Sequence, residues 1–225
     1  MTPISRLRRS ALAALAALAA LSVTAASAHS LWIESVEGKL VVRFGEVGVE
    51  HEKSPGHLDK LSLPEAKDTK GEKIESEKAA DHFLLKGAKL DAPAVIYTMF
   101  PVMERPATDT KPASARWPQF YARWQVAGAE VKPVSALDIV PAKEAGKAPV
   151  YFKEKPLAGV EVVQILPDGK EKYLTTAEDG TVTFKAEGKG LHALRVAGYS
   201  EEKAGTHEGV NYTVISHNSS LAWNQ

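Results

Sequence analysis

The chain holds seven histidines and no cysteine, so imidazole is the softest metal donor it offers apart from the thioethers of Met99 and Met103. One histidine has a special place. Arg6, Arg8 and Arg9, a largely apolar run over 11–23 and the small-residue pattern Ala26-Ser27-Ala28 read as a cleavable export signal over residues 1–28. Cleavage after Ala28 would make His29 a terminal residue. A terminal histidine supplies two donors, the α-amine and Nδ1, in one compact chelate. One further imidazole would complete a three-nitrogen site suited to Cu(II) or Ni(II). His217 is the expected partner. It opens the polar stretch His217-Asn218-Ser219-Ser220 at a strand end, and the first and last strands of a sandwich can be neighbours. Each residue also has a plainer reading: His29 as a residue that the signal peptidase tolerates, His217 as a hydrogen-bonded strand-end histidine.

The other histidines divide by setting. His51 and His57 lie in one glycine- and charge-rich segment over 45–57, with Glu50 and Glu52 beside His51 and Ser54-Pro55-Gly56 turning into His57. Such a loop either binds a divalent ion weakly or is simply solvated. His82 follows Asp81 at a strand start, and His207 flanks the last strand. His192 shares a face with Leu194 and Val196, which places it in a core. Trp117, Phe120, Tyr121 and Trp124, with Arg116 and Arg123, would form either a stacking surface or core filling. No Gly-x-Ser-x-Gly elbow, phosphate-binding glycine loop or His-Glu-x-x-His helix occurs.

The elements that must position these side chains read as strands. Residues 31–36 and 39–44 form a hairpin about Glu37-Gly38. Further strands are expected over 81–86, 94–100 and 118–126, with a short one near Ile74. Three prolines mark 103–118 as a long ordered loop or lid. After a composition shift over 127–133, strands are expected over 136–141, 159–166, 171–177, 181–184, 190–197 and 212–217, punctuated by Pro167-Asp168-Gly169-Lys170 and Glu178-Asp179-Gly180. Beyond the signal no segment has a convincing helical pattern. The expected fold is all-β, built of antiparallel β-sandwich units, with an N-terminal β domain over 29–132 and a C-terminal sandwich over 133–225.

Bulk properties exclude some functions. The chain has 28 basic and 28 acidic residues, and the signal holds three of the arginines and no acid. The remainder therefore carries 25 against 28, a net charge of −3, with none of the basic excess that nucleic-acid binding needs. No apolar stretch after the signal is long enough to span a bilayer. Without cysteine there is no disulfide, thiolate site or lipid anchor.

Three stretches resemble a bacterial periplasmic family of unknown function labelled as the periplasmic component of cobalt or nickel uptake: His29-Ser30-Leu31-Trp32-Ile33, Arg43-Phe44-Gly45-Glu46 with Glu52-Lys53-Ser54-Pro55-Gly56, and Tyr212-Thr213-Val214-Ile215-Ser216-His217. The resemblance implies a divalent transition-metal ligand (nickel, cobalt or copper), with His29 and His217 as the positions carried over. Separately, Lys155-Pro156-Leu157-Ala158-Gly159-Val160-Glu161-Val162 and Thr175-Thr176-Ala177-Glu178-Asp179-Gly180 are similar to the regulatory-like sandwich of some carboxypeptidases. That implies an immunoglobulin-like or transthyretin-like C-terminal unit and no peptidase activity. The combined expectation is a non-enzymatic, periplasmic or secreted protein that captures a metal ion for a membrane transporter or another acceptor. Two alternatives stand beside it: a copper-dependent polysaccharide monooxygenase-like enzyme with Trp117, Tyr121 and Trp124 as its flat surface, and a metal-free adhesion module.

Overall fold

A computed structural model describes residues 29–110, 112–125 and 132–225; the export signal expected over 1–28 lies outside the described residues. In the first half the strands are β1 (Ser30–Val36), β2 (Lys39–Glu46), β3 (Glu50–His51), β4 (Glu65–Asp68), β5 (Lys73–Lys78), β6 (Phe83–Lys86), β7 (Ala94–Met99), β8 (Met103–Arg105) and β9 (Ser114–Trp124). The second half adds β10 (Leu137–Ile139), β11 (Lys147–Phe152), β12 (Lys155–Pro156), β13 (Glu161–Ile165), β14 (Glu171–Thr175), β15 (Thr181–Thr183), β16 (Leu191–His207) and β17 (Val210–Asn224). A single 3₁₀ turn, His57–Lys60, is the only helical element among the described residues. The fold is all-β.

Most strands join one long sheet in the order β1-β2-β6-β5-β4-β7-β9-β17-β16-β13-β14, with β3 on β2 and β8 on β9; β10, β11, β12 and β15 form a second sheet. The pairing is antiparallel except at one seam. There β9 and β17 run parallel over nine residue pairs, from Arg116 opposite Val214 to Trp124 opposite Ala222. The expected all-β, largely antiparallel architecture is present, with this one parallel pair added to it. A parallel pair needs a long crossover rather than a hairpin, and the connection from β9 to β17 includes all of β10 to β16. The sheet therefore continues across the expected 132/133 division.

Alternation along the central strands explains the layering. Phe120, Ala122 and Trp124 of β9, Val163 and Ile165 of β13, Ala193 of β16 and Ala222 of β17 face one core, shared with Trp32, Phe44 and Phe83 from the folded-over β1-β2-β6 edge. Tyr121, Val162, Leu194, Val196 and Leu221 face a second core with Leu137, Ile139, Val150 and Val182 of the smaller sheet. The seam between halves also holds a buried ion pair. Arg123 Nε and Nη2 donate to the two oxygens of Asp138 at 3.0 and 2.5 Å, and the backbone amides of Val134 and Ser135 donate to Asp138 as well.

The expected lid over 103–118 is in part a hairpin. β8 pairs with the start of β9, Met103 opposite Arg116 and Arg105 opposite Ser114. Its prolines cluster at the turn and at Pro118, where they leave the short ladder intact. The long β16–β17 hairpin extends well past the expected 190–197 and 212–217: the outer part of β16 is largely exposed and lacks the apolar alternation that marks a strand in sequence, while β17 continues through Asn218-Ser219-Ser220, whose polar side chains give no strand signal although both serines are buried.

Candidate functional site

The loop over 45–57 is shaped by glycine. Gly45, at φ 141°, pairs with His51 across β2 and β3; a Cβ there would collide with the Glu50 carbonyl oxygen and approach His51 Cα to 2.8 Å. Only glycine lets the returning chain lie this close. The Glu52 amide then donates to Phe44 O at 2.7 Å, and the Ser54 amide to Ala80 O at 2.6 Å. Gly56 begins the 3₁₀ turn. Asp59 Oδ2 accepts from the Gly56 amide at 2.8 Å and Asp59 Oδ1 from Ser54 Oγ at 2.7 Å, while Leu58 is fully buried. Asp59 is held down to about 2, first by the Lys78 ammonium and then by these bonds. An exposed loop is thus pinned at both ends.

His29, Glu52 and His57 meet on this scaffold. His29 Nε2 lies 2.5 Å from Glu52 Oε1, and His57 Nδ1 lies 2.9 Å from the same oxygen. One ligand atom from each of the three residues lies within 4.8 Å of the others. The two imidazoles meet edge to face at 5.9 Å, and His29 rests on Phe44 at 5.3 Å. Phe44 is itself locked by edge contacts to Phe100 and Phe120 at 5.0 and 5.4 Å. The group opens to solvent: the His29 and His57 side chains are 42% and 53% exposed, that of Glu52 24%. Hydrogen bonding from His57 holds the Glu52 carboxyl below its ordinary value; burial opposes this, and His29 adds to it. Chemically this is an anionic oxygen flanked by two borderline-soft nitrogens. An ion bound at about 2.0–2.2 Å to each would hold neighbouring donors roughly 3 Å or slightly more apart, so only a small outward turn of Glu52 would admit one.

His29 and His217 are not brought together. The expected adjacency of strands exists, since Ser220 Oγ of β17 donates to Leu31 O of β1 at 2.5 Å. The faces are wrong. Ser220 and Ala222 point toward β1, and His217 and Leu221 point to the second core. Side chains alternate along a strand, so an odd-numbered residue of β17 cannot share the β1 side. His217 is instead buried, 2% exposed, between Phe152 and Tyr121 at ring distances of 5.1 and 6.0 Å. Its Nδ1 lies 3.1 Å from the Tyr121 hydroxyl and its Nε2 3.0 Å from Glu201 Oε2.

The remaining candidates are elsewhere. His51 and His82 both approach Asp81, at 3.9 and 2.7 Å, but Arg43 also holds that carboxylate at 2.7 Å. His192 is a core histidine, stacked on Trp223 at 5.4 Å, and His207 stacks on Trp117 at 4.5 Å. The aromatic residues of β9 make no flat surface: Phe120, Tyr121 and Trp124 are buried, and Trp117 is covered by His207 and Tyr212. Sequence reasoning weighed Glu52 and His57 only as parts of a loop that binds an ion weakly or is solvated, and missed that they meet His29. The only signal for Glu52 was its place between two histidines six residues apart. No helix among the described residues is long and apolar enough to cross a membrane. A scan against protein-family models and a search of the curated proteins returned no match.

Proposed function

We propose that this is an exported, non-enzymatic protein that binds a divalent transition-metal ion (nickel, cobalt or copper) and passes it to a membrane transporter or another acceptor. The observation that carries this reading is the convergence of His29, Glu52 and His57 on one half-open spot. Two imidazoles and a carboxylate suit borderline first-row ions, with Cu(II) the most tightly held on intrinsic affinity. The exposure of the group favours loading and release over chemistry on a large substrate. The rigid rest of the fold, including the carboxypeptidase-regulatory-like pattern of the C-terminal half, serves as scaffold.

The test is titration of Cu(II), Ni(II) and Co(II), against a competing chelator, into protein beginning at His29. The expected result is one tight equivalent that His57→Ala weakens by a factor of ten or more, roughly the loss seen when a metal site gives up a supporting group. Equal affinity in the variant would refute the ligand set. One observation favours a second geometry. Glu52 engages His29 Nε2, which leaves Nδ1 free to chelate with a terminal amine while the carboxylate orients the ring. Adding one residue before His29 separates the two geometries: unchanged affinity places the ion on Nε2, and a large loss places it on the amine and Nδ1.

A further inference from the structure

A second histidine group, which the proposed metal chemistry does not use, runs through the interior. Lys153, in the turn between β11 and β12, donates to Glu201 Oε1; Glu201 Oε2 meets His217 Nε2 at 3.0 Å; His217 Nδ1 meets the Tyr121 hydroxyl at 3.1 Å; and that hydroxyl donates to Gln119 Oε1 at 2.8 Å, the oxygen and nitrogen ends of the amide exchanging places by a half-turn of the side chain. Gln119 and His217 are register partners on the parallel seam, so both side chains project to the same side. Gln119 and Tyr121, 8% and 5% exposed, form part of the wall of an open cleft of about 770 Å³ with Tyr97, Glu65, Ile74 and Val134.

Counting protons along this chain leaves two arrangements. Carboxylate oxygens only accept, so Nε2–H of His217 donates to Glu201. If the ring is neutral, Nδ1 is bare and accepts from Tyr121 O–H. The Tyr121 oxygen then accepts from the Gln119 NH₂, and the Gln119 carbonyl oxygen is turned to the cleft. If the ring is charged, Nδ1–H donates to the Tyr121 oxygen, Tyr121 O–H donates to Gln119 Oε1, and the NH₂ is turned to the cleft. One proton on His217 therefore reverses every bond between it and the cleft. We propose that His217 is a buried proton sensor whose charge, relayed through Tyr121, sets whether Gln119 offers the cleft an acceptor or a donor.

The surroundings fit a ring that is neutral at neutral pH. Burial pushes the His217 imidazolium below the ordinary histidine value; Glu201 opposes this, and Lys153 and Lys203 assist it. The groups facing the ring are Glu201 and Lys203 from β16, Lys153 beyond β11, and Tyr121 from β9, with Tyr199 as its cross-strand neighbour. Asp138 on β10 is occupied by Arg123. Burial also pushes the Tyr121 phenol up, so it relays a proton's position without ionising. A molecule resting in the cleft would meet a carbonyl at neutral pH and an amide N–H after acidification.

Nitrogen-15 NMR of the histidine rings and glutamine side chains, followed from about pH 8 to about pH 4, tests this on the intact protein. The expected result is the Nε2–H tautomer of His217 at the start, and a shift of the Gln119 amide that tracks protonation of His217. An Nδ1–H tautomer at about pH 8, or a Gln119 signal that stays still while His217 gains its proton, would overturn the proposal. In Tyr121→Phe, His217 should still titrate while Gln119 no longer follows. If that variant fails to fold, the wild-type titration alone decides.

Discussion

His29 with Glu52 and His57, and His217 with Glu201 and Tyr121, use the same kinds of group on opposite sides of β17. In the first, both imidazoles are about half exposed and share one carboxylate oxygen. In the second, the imidazole is sealed between two aromatic rings, and every nitrogen already has a partner. Their carboxylates behave alike, since Glu52 and Glu201 are both held below their ordinary range. For Glu201 this happens against burial, through Lys153 and then His217. What separates the two groups is access. An ion arriving at the first displaces only water and a hydrogen bond, whereas at the second it would have to break a packed core.

The sharpest way to break this contrast is to remove the buried ring. His217→Ala leaves Glu201 and Tyr121 without a shared partner and opens a void, so a loss of about 2–4 kcal/mol in unfolding free energy is expected; urea denaturation measures it, and a near-neutral result would mean that the network carries little. Next in size is Glu52→Gln, which keeps the shape of the exposed group and removes its charge. Metal affinity should fall about 10- to 100-fold with the fold unchanged, as read by competition titration and circular dichroism.

Acid should separate the groups by window. The folded state disfavours the protonated form of His217, so it binds fewer protons than the unfolded chain, and stability must fall as pH drops through the ordinary histidine value of 6.5. Glu52 is shifted in the same direction, but in a lower pH window. Its contribution is present above the ordinary carboxylate value of 4.5 and is lost below it. Denaturation midpoints near pH 7, 5.5 and 4 (about the two windows) should show a first decline that His217→Gln abolishes and Glu52→Gln leaves in place. The smallest effect expected is that of His57→Ala on stability, within about 0.5 kcal/mol, since an exposed loop side chain is being trimmed; thermal unfolding without metal checks it.

The hairpin about Glu37-Gly38, the turn at 167–170 and most short strands were legible because local alternation and turn residues encode them. The parallel seam was not, because residues 116–124 and 214–222 carry no local sign of their pairing. The same limit governed the histidines. Adjacency of the first and last strands follows from the sandwich plan, but which face His217 takes depends on register, and a single residue of parity decides it. His57 and Glu52 looked like loop residues because nothing in the sequence shows that Gly45 draws their segment back onto β2.

The seam between β9 and β17, with two cores that each draw on both halves, bears on how the chain can be divided. A nick in the segment joining β9 to β10 would release no free lobe, because neither fragment retains a complete hydrophobic interior. Pieces ending at 125 and beginning at 132 would instead be complementing halves. Fused to two separate proteins, they would report on those proteins' encounter by restoring the His29, Glu52 and His57 cradle only when joined.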